Sequence, residues 1–205
     1  MFAAAFVITA AGEALRRFGI AGWLGELATP LVFIYLPLGI TILRKRNLDS
    51  LGLVWGDWKR AVALVGAVTA VCIPLYLAMV YFISRLQGFA LAPAFHWSML
   101  SVLIWHLFGA AIPEELFFRG YMQPLAESRF SSKIKVLGAE IGWGVVLTAA
   151  LFALIHLAAE PSPQRLATFF PGLIFGWLRA KTGSILAPTL FHFLANATVV
   201  VVFAQ

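Results

Sequence analysis

At 205 residues the chain is long enough for one domain, but 61% apolar residues, 12% charged residues and a mean hydropathy of +0.91 exclude a soluble globular protein, in which charged residues run nearer ~25%. The net charge of +6 comes from short basic clusters between apolar runs, so it marks membrane topology and excludes a nucleic-acid-binding surface. The one cysteine, Cys72, lies inside an apolar run, where it packs as a small hydrophobe; the chain has neither a disulfide framework nor a cysteine metal site.

In chain order, Met1 to Gly25 is ambiguous: about 14 apolar residues precede Arg16 and Arg17, short for a span of ~20 and equally suited to an interfacial or re-entrant helix. With no basic residue ahead of the apolar run, the segment fits a signal peptide poorly. The first clear span is Leu27 to Leu43, containing Pro30 and Pro37 and closed by Arg44, Lys45 and Arg46. Trp55 and Trp58 in the following loop are interfacial residues. Ala61 to Ile83 is the second span, and Trp97 to Ile112 the third, running on into an acidic helix as far as about Leu125. After a polar, basic stretch from Glu127 to Lys135 come a fourth span, Leu137 to Ala158, a shorter fifth, Leu166 to Leu178, and a sixth, Ile185 to Phe203.

The fold class expected is therefore all-α: a polytopic membrane bundle of about six transmembrane helices. With the loops after spans one, three and five on one side, that side carries Arg44, Lys45, Arg46, Lys59, Arg60, Arg129, Lys133, Lys135, Arg179 and Lys181, ten basic residues against four opposite, and is the predicted cytoplasmic face. Gly138-x-x-x-Gly142 and Gly172-x-x-x-Gly176 have the spacing that allows close helix packing.

The stretch Pro113 to Gly120, PEELFFRG, puts ionisable groups next to an apolar run, where they are costly and usually functional. On a helix Glu115 and Arg119 share a face and can pair, whereas Glu114 points roughly 100° away from Glu115. One carboxylate is thus neutralised and the other free, although spacing does not say which serves as a base. Pro113 fits a first helical position and otherwise forces a kink, because it offers no N–H to the carbonyl of Gly109.

Few other ionisable groups lie within the spans. His156 follows Phe152 by one helical turn, and His192 and Asn196 share a face in mid-span. Their partners across the bundle are to be sought among Glu114, Glu115, Arg119 and His156. His106 and His96 read as structural or interfacial histidines, and Glu140 as an interfacial pairing residue.

A carboxylate and an imidazole can hold a water and take its proton. A second imidazole and an amide can stabilise an oxyanion. This set suits hydrolysis of an amide by water, for no serine, threonine or cysteine lies in these three stretches to act as nucleophile. The rival use of the same atoms is a zinc ion at Glu114, His156 and His192. The absence of H-E-x-x-H and the origin of the two histidines on different helices favour the metal-free reading, with no cofactor.

Taken together in this order, EELFFR, FALIH and HFLAN resemble the E-E-x3-R, F-x3-H and H-x3-N motifs of the membrane-embedded CAAX-prenyl-protease-type (CPBP or Abi) family of glutamic intramembrane proteases. The resemblance covers Trp97 to about Ala204 and divides the chain into a membrane region without family motif, 1–93, and a protease core, 94–205. It implies that Glu114 and His156 activate the water, His192 and Asn196 stabilise the oxyanion, and Glu115 with Arg119 orders the first motif. It further implies a substrate protein or peptide with a membrane-associated or lipidated segment, and a multi-pass location in the cell membrane of a prokaryote. Two other readings remain: a non-catalytic membrane immunity or scaffold protein, and a small transporter or proton relay.

Overall fold

The computed structural model describes residues 2–17, 22–88, 90–91, 93–130 and 132–203. Within them lie α1 (Phe2–Arg17), α2 (Gly22–Leu43), α3 (Trp58–Gln87), α4 (Met99–Glu127), α5 (Trp143–Ala159), α6 (Phe169–Thr182) and α7 (Leu186–Val202). A two-stranded hairpin, β1 (Lys133–Val136) and β2 (Ala139–Gly142), separates α4 from α5. The protein is an all-α bundle, as its apolar runs predict. By length and composition α3 and α4 can each cross a membrane. The 16 residues of α1 reach only about 24 Å, short of the hydrocarbon thickness; the link 18–21 lies outside the described residues.

The surface is inverted relative to a soluble protein. Along α3, Val71, Leu75, Met79 and Phe82 are exposed, as expected of side chains that face lipid. The buried core is largely aromatic: Phe33 from α2 stacks on Phe117 of α4 with centroids 4.7 Å apart, and Phe118, Phe152, Phe175 and Phe191 extend the cluster through α4, α5, α6 and α7. Edge-to-face contacts such as Phe118–Phe152 and Phe152–Phe175 follow from the ring quadrupole.

Helix α4 is not uniform. His106–Ala111 and Leu116–Met122 are π-helical, on either side of a regular turn, Ile112–Glu115. The expected kink at Pro113 is thus taken up by a wider turn, in which the Ile112 N–H bonds to the carbonyl of Leu107, five residues back. In the second π segment Pro124 has no N–H to return to the Arg119 carbonyl, which accepts instead from Arg179 Nε at 3.2 Å.

The fourth span differs from its expected bounds, for α5 begins at Trp143 and not at Leu137. Residues 133–136 alternate polar and apolar side chains with period two, and the two strands pair in the register Lys133↔Gly142 to Val136↔Ala139. The turn uses Leu137 and Gly138, both at positive φ (47° and 77°), and Leu137 is an unusual residue for that conformation. Gly138-x-x-x-Gly142 therefore belongs to a hairpin and packs no helices. Glu140 falls opposite Lys135. Trp177 Nε1 and Lys181 Nζ of α6 donate to the carbonyls of Val136 and Leu137 at 2.9 and 2.8 Å, which anchors the hairpin. The fifth span also starts later, because Pro163–Thr168 forms a 3-10 turn ahead of α6.

Gly172-x-x-x-Gly176 does pack helices. A Cβ at Gly176 would lie 2.7 Å from Val145 Cγ1, and one at Gly172 3.2 Å from Ala149 Cα. This closeness brings α6 against α5 and lets its carbonyls reach α4: Arg119 Nη2 donates to the Gly172 carbonyl at 3.0 Å, and Gln123 Nε2 to that of Gly176 at 3.1 Å.

Candidate active site

The polar centre is assembled from α4, α5 and α7. Glu115 and Arg119, one turn apart on α4, are both fully buried and bonded through Arg119 Nη1 to Glu115 Oε1 at 3.2 Å. The same oxygen accepts from His192 Nδ1 at 2.9 Å. The pairing inferred from spacing is therefore present, and Glu114 is the carboxylate left without a direct partner. The Arg119 guanidinium is enclosed by aromatic faces, its Cζ lying 4.5 Å from the Phe152 centroid and 5.0 Å from that of Phe175.

Glu114 faces the two imidazoles. Its Oε2 is 3.8 Å from His156 Nε2 and 3.9 Å from His192 Nε2, too far for direct hydrogen bonds. Both histidines are oriented through their other nitrogen. His156 Nδ1 lies 2.9 Å from the Phe152 carbonyl, which can only accept, so the proton is on Nδ1 and Nε2 presents a lone pair. His192 Nδ1–H is likewise directed at Glu115, and its ring stacks on Phe175 at 4.7 Å. Phe152 thus fixes the His156 tautomer with its carbonyl, and its ring packs against Arg119, His156 and His192.

Exposure divides the set in two. Glu115 and Arg119 have no accessible side-chain surface, whereas Glu114 and His156 retain 17% and 22%. The first pair is closed off, and the second is open to a molecule entering the site. Asn196 lies one turn beyond His192 on α7 and is half-buried; among the described residues no hydrogen bond ties its amide to the other five.

His106 lies about two turns before Glu114 on the same helix. Two turns of regular helix span about seven residues, so His106 and Glu114 fall out of phase by α-helical counting. The π segment takes up the extra residue and brings His106 into electrostatic range of Glu114 and His192, with its Nδ1 buried and unpartnered. Apolar periodicity does not reveal that π-turn, so the sequence carries no signal of this placement.

Glu114, His156 and His192 are the side chains that could hold a metal. Tetrahedral zinc with ligands at about 2.1 Å separates its donors by roughly 3.4 Å. The separations of 3.8 and 3.9 Å are wider, and among the described residues no three His, Cys, Asp or Glu side chains are close enough together to bind one.

The sequence matches the model of the Rce1-like type II CAAX prenyl endopeptidase family over residues 95–198, just over half of the chain. The chain belongs to this family. The matched segment runs from just before α4 into α7 and includes every residue of the polar centre. Membership makes the protein an integral membrane endopeptidase of the CAAX type. No curated protein and no solved structure matches the chain.

Proposed function

We propose that this Rce1-like endopeptidase hydrolyses a peptide bond near a membrane-associated or lipidated segment of a protein substrate, using a water activated by Glu114 and His156. The observation that carries the proposal is the position of Glu114 Oε2, facing two imidazole Nε2 atoms at 3.8 and 3.9 Å, while Glu115 is committed to Arg119 and His192. A gap of that size between three polar atoms suits one water in hydrogen bonds to all of them.

In the reaction the water oxygen attacks the carbonyl carbon while one of its protons passes to Glu114, with His156 as the second acceptor that holds the water. The carbonyl π electrons move to oxygen. Asn196 donates to that oxyanion from its amide, and His192, whose ring Glu115 holds through Nδ1, stabilises it from Nε2. As the tetrahedral intermediate collapses, the C–N bond breaks and the proton held by Glu114 goes to the leaving amine. Arg119 and Glu115 touch no reacting atom and act by positioning. The chemistry is metal-independent in this reading, and the site opens within a multi-pass bundle in the cell membrane of a prokaryote.

The test compares protein termini in membranes from cells expressing wild type or Glu114→Gln at matched levels. Termini lost in the variant and restored by purified wild-type enzyme are expected, with activity unchanged after dialysis against a chelator. An unchanged set of termini, with candidate substrates expressed, would move the assignment to a non-catalytic membrane protein, and loss of activity on chelation to a metal site.

A further inference from the structure

A second polar feature lies outside the centre described above. At the end of the bundle that the charge count assigns to the cytoplasm, a cavity of about 370 Å³ opens between the last turn of α2, the loop after it and the last turns of α4. Three guanidiniums line it, Arg44, Arg46 and Arg129, and no carboxylate does. Among the described residues no ion pair occupies these arginines. The nearby acids are engaged: Asp49 Oδ2 accepts from Asn47 Nδ2 at 2.9 Å, and Glu127 Oε1 from Gln123 Nε2 at 3.1 Å.

We propose that this cavity binds the phosphate headgroup of an anionic phospholipid. The inference goes beyond the reading of the polar centre and does not depend on it. Converging guanidiniums at a membrane edge recognise phosphate through charge-assisted, forked hydrogen bonds. The hydroxyls of Ser50 and Ser128 are turned to backbone carbonyls, so the charged donors to the anion are the arginines, with Thr41 and Tyr121 the other hydroxyl-bearing residues of the wall.

Two features favour a lipid over free phosphate. The cavity wall is apolar beneath the charges, with Ile40, Leu51 and Leu125. On the adjoining membrane side Ile42 and Leu43 are exposed, 61% and 83%, where acyl chains would run. Gly120 forms part of the same wall, and a Cβ there would lie 2.7 Å from the Leu51 carbonyl oxygen, so at this point the wall is a close backbone contact between α4 and the loop after α2.

The experiment uses the full-length protein in nanodiscs of phosphatidylcholine with or without phosphatidylglycerol, and reads bound phosphatidylglycerol by native mass spectrometry and by titration with a fluorescent analogue. Wild type is expected to retain phosphatidylglycerol over phosphatidylcholine. The variant R44Q/R46Q/R129Q should lose roughly a hundredfold in affinity, about fivefold per guanidinium. Ser128→Trp fills the cavity while keeping every charge, and therefore the topology signal, and should lose the lipid too. The variant K59Q/R60Q, which alters exposed cations outside the cavity, should bind as wild type does. Equal retention of the two lipids, or unchanged binding in both cavity variants, would overturn the proposal. Displacement of the analogue by inorganic phosphate at matched concentration would overturn the lipid as the source of the anion.

Discussion

A guanidinium with no accessible surface inside a membrane protein has to be balanced on every side, and Arg119 is: by Glu115, by the Gly172 carbonyl and by the faces of Phe152 and Phe175. Removing one partner of such a pair leaves the other buried and charged, which costs about 3–5 kcal/mol. Arg119→Ala is therefore expected to unfold at a markedly lower temperature in detergent. Glu114→Gln is expected to retain the wild-type melting temperature, because Glu114 Oε2 makes no direct hydrogen bond that the amide would break. A melting temperature that falls as far in Glu114→Gln as in Arg119→Ala would contradict the division into supporting and reacting residues. At this scale much of the site was legible in the sequence, because one helical turn separates the members of each pair: Glu115 from Arg119, Phe152 from His156 and His192 from Asn196. His106 was not legible, because its phase relative to Glu114 depends on a π-turn that leaves no trace in apolar periodicity.

Among the elements, α6 governs how closely the site can be built. Its two glycines let Val145 and Ala149 of α5 approach and give Arg119 and Gln123 backbone acceptors. Gly176→Ala would put a methyl group 2.7 Å from Val145 Cγ1, an overpacking that costs about 1–3 kcal/mol. Val145→Ala removes the clashing atom, so the double variant should regain most of the stability lost in Gly176→Ala. That coupling is read from a double-mutant cycle of melting in detergent, and additive losses would show that the helices do not meet there. The same GxxxG pattern at Gly138 misled, since spacing alone does not distinguish a helix face from a hairpin turn. The hairpin's trace in the sequence is the alternation from Lys133 to Val136, which reads only as a polar, basic stretch. It was obscured by a Leu-Gly turn in place of the Asn-Gly or Asp-Gly that usually marks one, and by the long apolar run that follows.

For the whole molecule, orientation follows from where the cations collect. At one end Arg44 and Arg46 of the loop after α2 and Arg129 just past α4 line one cavity. Such clustering is expected if that end faces the cytoplasm, since lysine and arginine resist translocation. Helix α3 tests this directly. Its 30 residues reach about 45 Å, enough to separate Trp55 from Gln87 across a bilayer, and both of those positions are exposed. In a Cys72→Ser background, Trp55→Cys should react with an impermeant maleimide only after the membrane is opened, and Gln87→Cys should react in intact cells. The reverse pattern would invert the bundle and put the arginine-lined cavity in the outer leaflet. Reaction of both cysteines from one side would mean that α3 does not cross, and the exposed Val71, Leu75 and Met79 would then need a protein partner in place of lipid.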